Sequence, residues 1–316
     1  MTGFLSTLRT FRSPWLDLRF RPGGRFRVEI AERPGAWMAE AELAPLVAGC
    51  RAVVARCLDG RQLDYGLFDP DGAAWRGSVI TLVRDAATGE AIAFNAMPLL
   101  PVRQGAEQVE VLHLGLVMVR PDVRGEGLSW ILYGLTCFLL FVRRQLRPLW
   151  ISSVTQVPAV VGMVAETFDH VWPAQTGTDA TFAHRLIARQ IMADHRHAFG
   201  VGAEAGYDEA RGVITDAYTG GSDNLKKSFD MAAPHRDDRY NDFCREALDY
   251  ERGDDVLQIG QINLATARRF LNESVPRRAW ARLGVQMLVL GVQAVVAPTL
   301  QWLAADRSLG RLRPAR

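Results

Sequence analysis

From Leu114 to Trp130 the chain reads Leu-Gly-Leu-Val-Met-Val-Arg-Pro-Asp-Val-Arg-Gly-Glu-Gly-Leu-Ser-Trp, and a long apolar run follows to Arg144. These residues predict an apolar strand ending at Val119, a stop at Pro121, and a turn through Arg124, Gly125, Glu126 and Gly127, with a helix opening at about Leu128. Such a turn aims several unpaired backbone N–H groups and the positive end of a helix dipole at one spot, an arrangement that suits a phosphate or pyrophosphate. The glycines let the backbone approach the anion and adopt positive φ.

Two familiar phosphate loops fit poorly. A P-loop ends Gly-Lys-Ser/Thr, whereas Gly127 is followed by Leu128; a dinucleotide fingerprint needs a third glycine where Trp130 stands. The segment instead resembles the acyl-CoA-binding motif of the GNAT superfamily of N-acyltransferases, Val-x-Pro-x-x-Arg-Gly-x-Gly. Val119, Pro121, Arg124, Gly125 and Gly127 match it, and Ser129 replaces the last small residue. The resemblance covers roughly half the chain. It implies an α/β fold: a mixed twisted sheet of the GNAT acyl-CoA N-acyltransferase type, with a V-shaped cleft between two splayed parallel strands. It further implies that the amides of Arg124, Gly125, Glu126, Gly127, Leu128 and Ser129 hold the pyrophosphate of coenzyme A. A main-chain amide near Val117 to Val119 would then polarise the thioester carbonyl. The donor would be acyl-CoA or an acyl carrier protein thioester and the acceptor a small-molecule amine, with no metal.

Acyl transfer to an amine needs a base for the amine proton, donors for the carbonyl oxygen and a proton for the leaving thiolate. His113 has a neutral imidazole that accepts a proton near neutral pH and is the first candidate base; strand alternation places it with Val111, Gly115 and Val117. The other reading of His113 is a satisfied core residue, with Glu110 or an ordered water as base. Ser152 and Ser153 on the next strand are candidates to line the same slot. Many members of the superfamily carry Asn-x-x-Ala-x-x-Leu-Tyr after that strand, with the tyrosine as acid; here the aligned residues are Gln156, Ala159, Gly162 and Met163. Methionine has no proton to give, and Glu166, Asp169 and His170 are weak substitutes. His195 and His197, two apart, point to different faces of a helix and lack further ligands, so a metal site is not expected.

The elements that must carry these residues follow from periodicity and breakers. Arg25 to Glu32 reads as a first strand, Ala36 to Leu58 as a helix with a break near Pro45, and Ser78 to Val83 with Ala91 to Pro98 as a hairpin. Val109 to Val119 reads as one continuous strand, Leu128 to Arg147 as helix, Leu149 to Val154 as strand and Pro158 to Phe168 as helix. This defines a core over 25–173 after a basic arm at 1–24. A mainly helical insertion is expected over 174–252, with helices at Thr181 to Phe199 and Tyr240 to Glu251, and a late core strand and helix over 253–272.

The remaining stretch, 273–316, reads as an apolar helix with a basic tail. Leu283 to Ala305 contains no charged residue, long enough for a span of ~20 residues. Gln286, Gln293 and Gln301 form a polar stripe, and Arg277, Arg278 and Arg282 precede it, a pattern of a helix lying in a membrane interface. Burial against the core or a second subunit fits the same residues. Residues 3–12 read as a short basic amphipathic helix.

Composition sets the limits. The 316 residues carry 48% hydrophobic and 23% charged side chains, as a globular protein does. A net charge of +2 hides basic ends on an acidic body, which argues against a broad nucleic-acid surface and is compatible with an anionic membrane face. Cys50, Cys57, Cys137 and Cys244 lack metal-ligand spacing and read as reduced core thiols. No apolar leader precedes a cleavage site, so the expected location is cytoplasmic, at the inner face of the membrane if the C-terminal helix docks there. The expected function is N-acyl transfer to an amine, with an amino acid or amphiphilic acceptor and a longer acyl chain. The alternative is a non-catalytic acyl-CoA-binding or membrane-docking protein.

Overall fold

The computed structural model describes residues 15–60, 63, 66–69, 71–175 and 179–292. The chain opens with β1 (Asp17–Gly23) and β2 (Phe26–Glu32), then α1 (Glu40–Cys57), α2 (Ala73–Gly77), β3 (Ser78–Asp85), β4 (Ala91–Gln104), β5 (Glu107–His113) and β6 (Val117–Val119). A π-helical turn (Trp130–Leu135) runs into α3 (Thr136–Arg143), followed by β7 (Leu149–Thr155), α4 (Pro158–Thr167) and β8 (Asp169–Trp172). Next come α5 (Phe182–Gln190), extended by π and 3-10 turns to Phe199, then β9 (Gly206–Asp208), β10 (Val213–Thr215), α6 (Asp238–Ala247), β11 (Asp255–Ile262), α7 (Leu264–Arg269) and α8 (Trp280–Gly291).

The strands form a mixed, mostly antiparallel sheet in the order β1-β2-β3-β4-β5-β7-β11-β10-β9, with β6 on β4 and β8 on β11. β5 and β7 run parallel, whereas the other pairings of the described strands are antiparallel. The fold is therefore α/β with an open sheet. On one face α3, α7 and α8 seal a core built on Leu99, Leu112, Leu135, Leu139, Phe141 and Ile151. On the other face α1 covers β3 and β4 through Leu46, Cys50, Val53 and Val54, residues three and four apart on one helical stripe. Beyond β5 that second face is covered by α5 and the turns after it, through Ile187, Ile191 and Met192 against Val111, Leu257 and Ile259.

Several expectations are corrected. β1 precedes the expected first strand and pairs with it, Asp17↔Ala31 to Gly23↔Phe26. The first helix runs unbroken through Pro45, an interior position where proline deprives the carbonyl of Ala41 of its i+4 donor, while the Pro45 carbonyl accepts from Arg84 Nη2. The insertion also adds β9 and β10 to the sheet beyond β11. The helix after the glycine turn starts as a π turn; a Cβ at Gly134 would collide with the ring of Phe270, so glycine is what lets the two approach. Residues 3–12 and 293–316 lie outside the described residues, and among those described no helix is long and apolar enough to cross a membrane.

The most consequential correction concerns the strand expected over Val109 to Val119. It is broken: β5 ends at His113 and β6 resumes at Val117. β4 pairs Leu99 with Leu112 and Asn95 with Val117, so four residues, 113–116, face three, 96–98. That one-residue excess is a β-bulge. Its position follows from Pro98, which has no N–H to donate to the facing strand, and from Gly115, where a Cβ would collide with the carbonyl of Ala96.

Candidate functional site

The bulge opens a gap in the sheet. β5 and β7 pair at Leu112↔Ile151 and His113↔Ser152, and Leu114 N donates to Ser152 O at 2.7 Å. Past that bond β6 stays on β4, while β7 stays on β11 as far as Thr155↔Val256. The two chains part, leaving 115–119 and 154–156 on opposite sides of an opening. Leu116 O accepts from Ala96 and Arg120 N donates to Ile92, both in β4. Because main-chain direction alternates along a strand, Val117 and Val119 aim their amides the other way, into the opening. The bulge also reverses side-chain parity: Val117 packs with the α3 core, whereas His113 faces the insertion, so the expected sharing of one face is overturned.

The glycine turn sits at the end of β6. A 3-10 turn (Pro121–Val123) leads to Gly125 at φ +85 and Gly127 at φ +72, conformations that favour glycine. The helix starts where Leu132 N bonds back to Leu128 O. The amides of Gly125, Gly127, Leu128 and Ser129 have no hydrogen-bond partner among the described residues, and all but Leu128 are solvent-exposed. Arg124 is exposed, makes no ion pair among the described residues, and reaches only Val119 O at 3.4 Å. Glu126 is held away by Arg25 at 2.5 Å. Arg25 also binds Asp85 at 2.8 Å, which with two turn amides holds that carboxyl down to about 2. The arrangement offers clustered N–H donors and a free guanidinium to an anion.

His113 lies at the base of the opening with 1% exposure. Its Nδ1 is 3.0 Å from Ser152 Oγ, and its ring stacks on Phe199 at 4.7 Å. Burial pushes the imidazole down to about 3, so it is neutral throughout the physiological range. This corrects the expectation that His113 accepts a proton near neutral pH. Glu110, three residues earlier, is clamped between the guanidiniums of Arg33 and Arg144. Ser153 is buried on β7.

Of the candidate acids past β7, Glu166 and Asp169 are engaged elsewhere, and His170 is exposed. Met163 packs against the α3 core, Glu166 accepts from Arg236 at 2.7 Å, and Asp169 pairs with Arg269 at 3.0 Å and Asn263 at 2.7 Å. The carbonyl of His170 bonds His184 Nε2 at 2.7 Å. His195 Nε2 bonds Pro101 O at 2.7 Å and His197 is exposed; among the described residues no group of three or more metal-ligating side chains converges.

Gln156 is the surprise of this region. It is 1% exposed and follows β7 directly. With its side-chain amide oriented to match its partners, its oxygen accepts from Tyr218 Oη at 2.6 Å and Lys227 N at 2.9 Å, and its nitrogen donates to Lys227 O at 3.1 Å. Tyr218 Oη also lies 3.0 Å from Asp255 Oδ1 at the start of β11. Tyr250 Oη donates to Gln156 O at 2.7 Å. The insertion thus lays Phe199 over His113 at the end of β5 and brings Tyr218 and Tyr250 to Gln156 at the end of β7. Sequence reasoning missed all three; the signals were an aromatic residue entering the Gly-rich 219–224 loop and the paired Asp254-Asp255 before an apolar strand. The chain matches no protein-family model and no curated protein sequence.

Proposed function

We propose that the protein transfers an acyl group from acyl-CoA or another acyl thioester to an amine, in the manner of the GNAT superfamily its turn resembles. The observation that carries this reading is the opening between β6 and β7 beside a turn whose amides lack partners. In this reading a pyrophosphate rests on Gly125, Gly127, Leu128 and Ser129 with Arg124 beside it, and the pantetheine arm extends the short sheet edge exposed by the bulge. The carbonyl oxygen meets the amides of Val117 or Val119, donors placed before charge develops on it. The amine approaches from the face covered by the insertion and loses its proton to ordered water or to His113, whose burial makes it a weak base at neutral pH.

An amphiphilic acceptor or a long acyl chain is favoured by α8. Its inner side buries Leu283 and Leu290 in the core, while Trp280, Val285 and Leu288 are 44%, 56% and 68% exposed on the outer side, with Arg277 and Arg282 exposed beside them. That face supports docking on an anionic lipid surface. The same face, together with Met163 where a tyrosine is expected, favours a second reading: an acyl-CoA-binding or membrane-docking protein without catalysis.

Mixing the purified full chain with acyl-CoA donors of graded length and a panel of amines, and following free thiol with amide product by mass spectrometry, separates the two. Amine-dependent thiol release supports transfer. Calorimetric binding of acyl-CoA without release supports the second reading.

A further inference from the structure

The turn that offers its amides to an anion carries a carboxylate in its middle, for Glu126 stands between Gly125 and Gly127. A fixed negative charge there opposes phosphate, by about fivefold in affinity for one unit charge a few ångströms away in well-solvated surroundings. The fold answers it from 101 positions earlier in the chain. Arg25 Nη1 binds Glu126 Oε1 at 2.5 Å, and Arg25 Nε binds Asp85 Oδ2 at 2.8 Å. We propose that Arg25 is a positioning residue of the donor site, holding the Glu126 carboxylate against the β1–β2 hairpin so that its charge does not oppose the pyrophosphate. The proposal rests on the reading that the turn binds the pyrophosphate of a thioester donor.

The backbone fixes Arg25 for this role. It lies in the β1–β2 hairpin beside Gly24, at φ +49, and its carbonyl accepts from Ala86 N at 2.7 Å where Phe26 pairs with Asp85. Asp85 itself accepts from Ala87 N at 2.8 Å and Thr88 N at 3.2 Å, so the carboxylate that binds Nε is held in the β3–β4 turn. With Nε engaged there, Nη1 reaches the glycine turn. The other carboxylates beside the turn follow the same pattern: Arg120 binds Asp122 at 2.7 Å and Glu90 at 3.1 Å. Each is matched to an arginine, whereas Arg124, on the turn itself, makes no ion pair among the described residues.

The Arg25 side chain is 50% exposed and that of Glu126 32%, so their pair contributes little to stability. Its consequence is the charge that an anion meets at the turn, and this separates the role from mere bracing. A bond that only braced the turn would be lost from either end, and removal of either partner would weaken donor binding. If Arg25 acts on the charge of Glu126, the two removals work in opposite directions. Without Arg25 the carboxylate repels phosphate; without Glu126 the guanidinium is freed to attract it.

The test is calorimetric titration of the full chain with coenzyme A at low and at raised salt. Arg25→Gln is expected to weaken binding ~5-fold and Glu126→Gln to tighten it by a similar factor, both effects shrinking as salt rises. The double variant should return to wild-type affinity, and Arg25→Lys, which keeps the charge, should lie close to it. Losses of affinity in both single variants, or a double variant no better than Arg25→Gln, would show a brace in place of a charge effect and overturn the proposal. Unchanged affinity in both single variants would overturn it as well. Amine-dependent thiol release, followed in parallel, bears on the acyl-transfer reading alone: its absence alongside the expected pattern of affinities would leave the role of Arg25 standing. A wild-type protein that binds no coenzyme A would remove the turn as a donor site, and this role with it.

Discussion

His113 Nδ1 and Ser152 Oγ meet at 3.0 Å across the last paired rung of the parallel strands β5 and β7. The contact holds the sheet closed on one side of the bulge while the other side opens. It also leaves the imidazole buried and neutral, which makes its protonation a structural matter before it is a chemical one.

The first prediction concerns acid stability. The His113 pKa is depressed when folded, to about 3, against ~6.5 unfolded. Between those values the unfolded chain binds the extra proton, so this group's contribution falls as pH drops from about 6.5 toward 3, by up to ~1.4 kcal/mol per pH unit. Asp255 acts in the opposite sense. Its folded pKa is raised to about 7 from ~3.9, so its contribution is present below pH ~4 and is lost as pH rises toward 7. Denaturant melts of His113→Asn and Asp255→Asn, each compared with wild type from pH 4 to 7, should therefore show stability differences that change with pH in opposite directions. Parallel curves would refute the burial of one group or the other.

Glu110 holds Arg33 and Arg144 together, and each of the three side chains is about a third exposed or less. Glu110→Gln should cost ~1–3 kcal/mol of stability by leaving two guanidiniums unpaired, with little effect on acyl-transfer rate at neutral pH. A variant of normal stability that has lost turnover would instead identify Glu110 as the base.

At the turn, Gly125 and Gly127 have open space around the position of a Cβ, so a side chain there meets strained backbone rather than protein. Gly125→Val and Gly127→Val should each cost ~1–3 kcal/mol of local strain and abolish coenzyme A binding measured by calorimetry. The β-branched group would stand where the backbone must meet phosphate. Undiminished affinity in both variants would remove the turn as the anchor.

For α8, full-length protein should pellet with anionic vesicles at low salt and release as salt rises, since each arginine near the surface contributes ~1 kcal/mol that ions screen. Val285→Glu with Leu288→Glu should abolish pelleting without unfolding, because both side chains are already exposed. Leu283→Glu, on the buried side, should unfold or aggregate the protein. Vesicle binding unchanged in the double variant would show that this face does not touch lipid.

Much of the frame was legible from short-range signals. The hairpin of β3 and β4, the helix after Gly127, β7, α4 and the late strand β11 were all marked by breakers and periodicity within about a dozen residues, because φ preferences and side-chain period act locally. The turn was readable for the same reason: Pro121, Gly125 and Gly127 constrain their own backbone wherever the chain goes.

What only the tertiary structure decided depends on partners distant in sequence. The break between His113 and Val117 comes from β4, where Pro98 and the carbonyl of Ala96 refuse a regular register. His113 looked like a titrating imidazole until Phe199, 86 positions later, was laid over it. Gln156, Tyr218 and Asp255 are unremarkable where they stand in the chain, and become one hydrogen-bonded line only when the insertion folds back on β7 and β11. The reason is physical: backbone propensity is written into a residue and its neighbours, whereas desolvation and proton affinity are set by whatever packs around it.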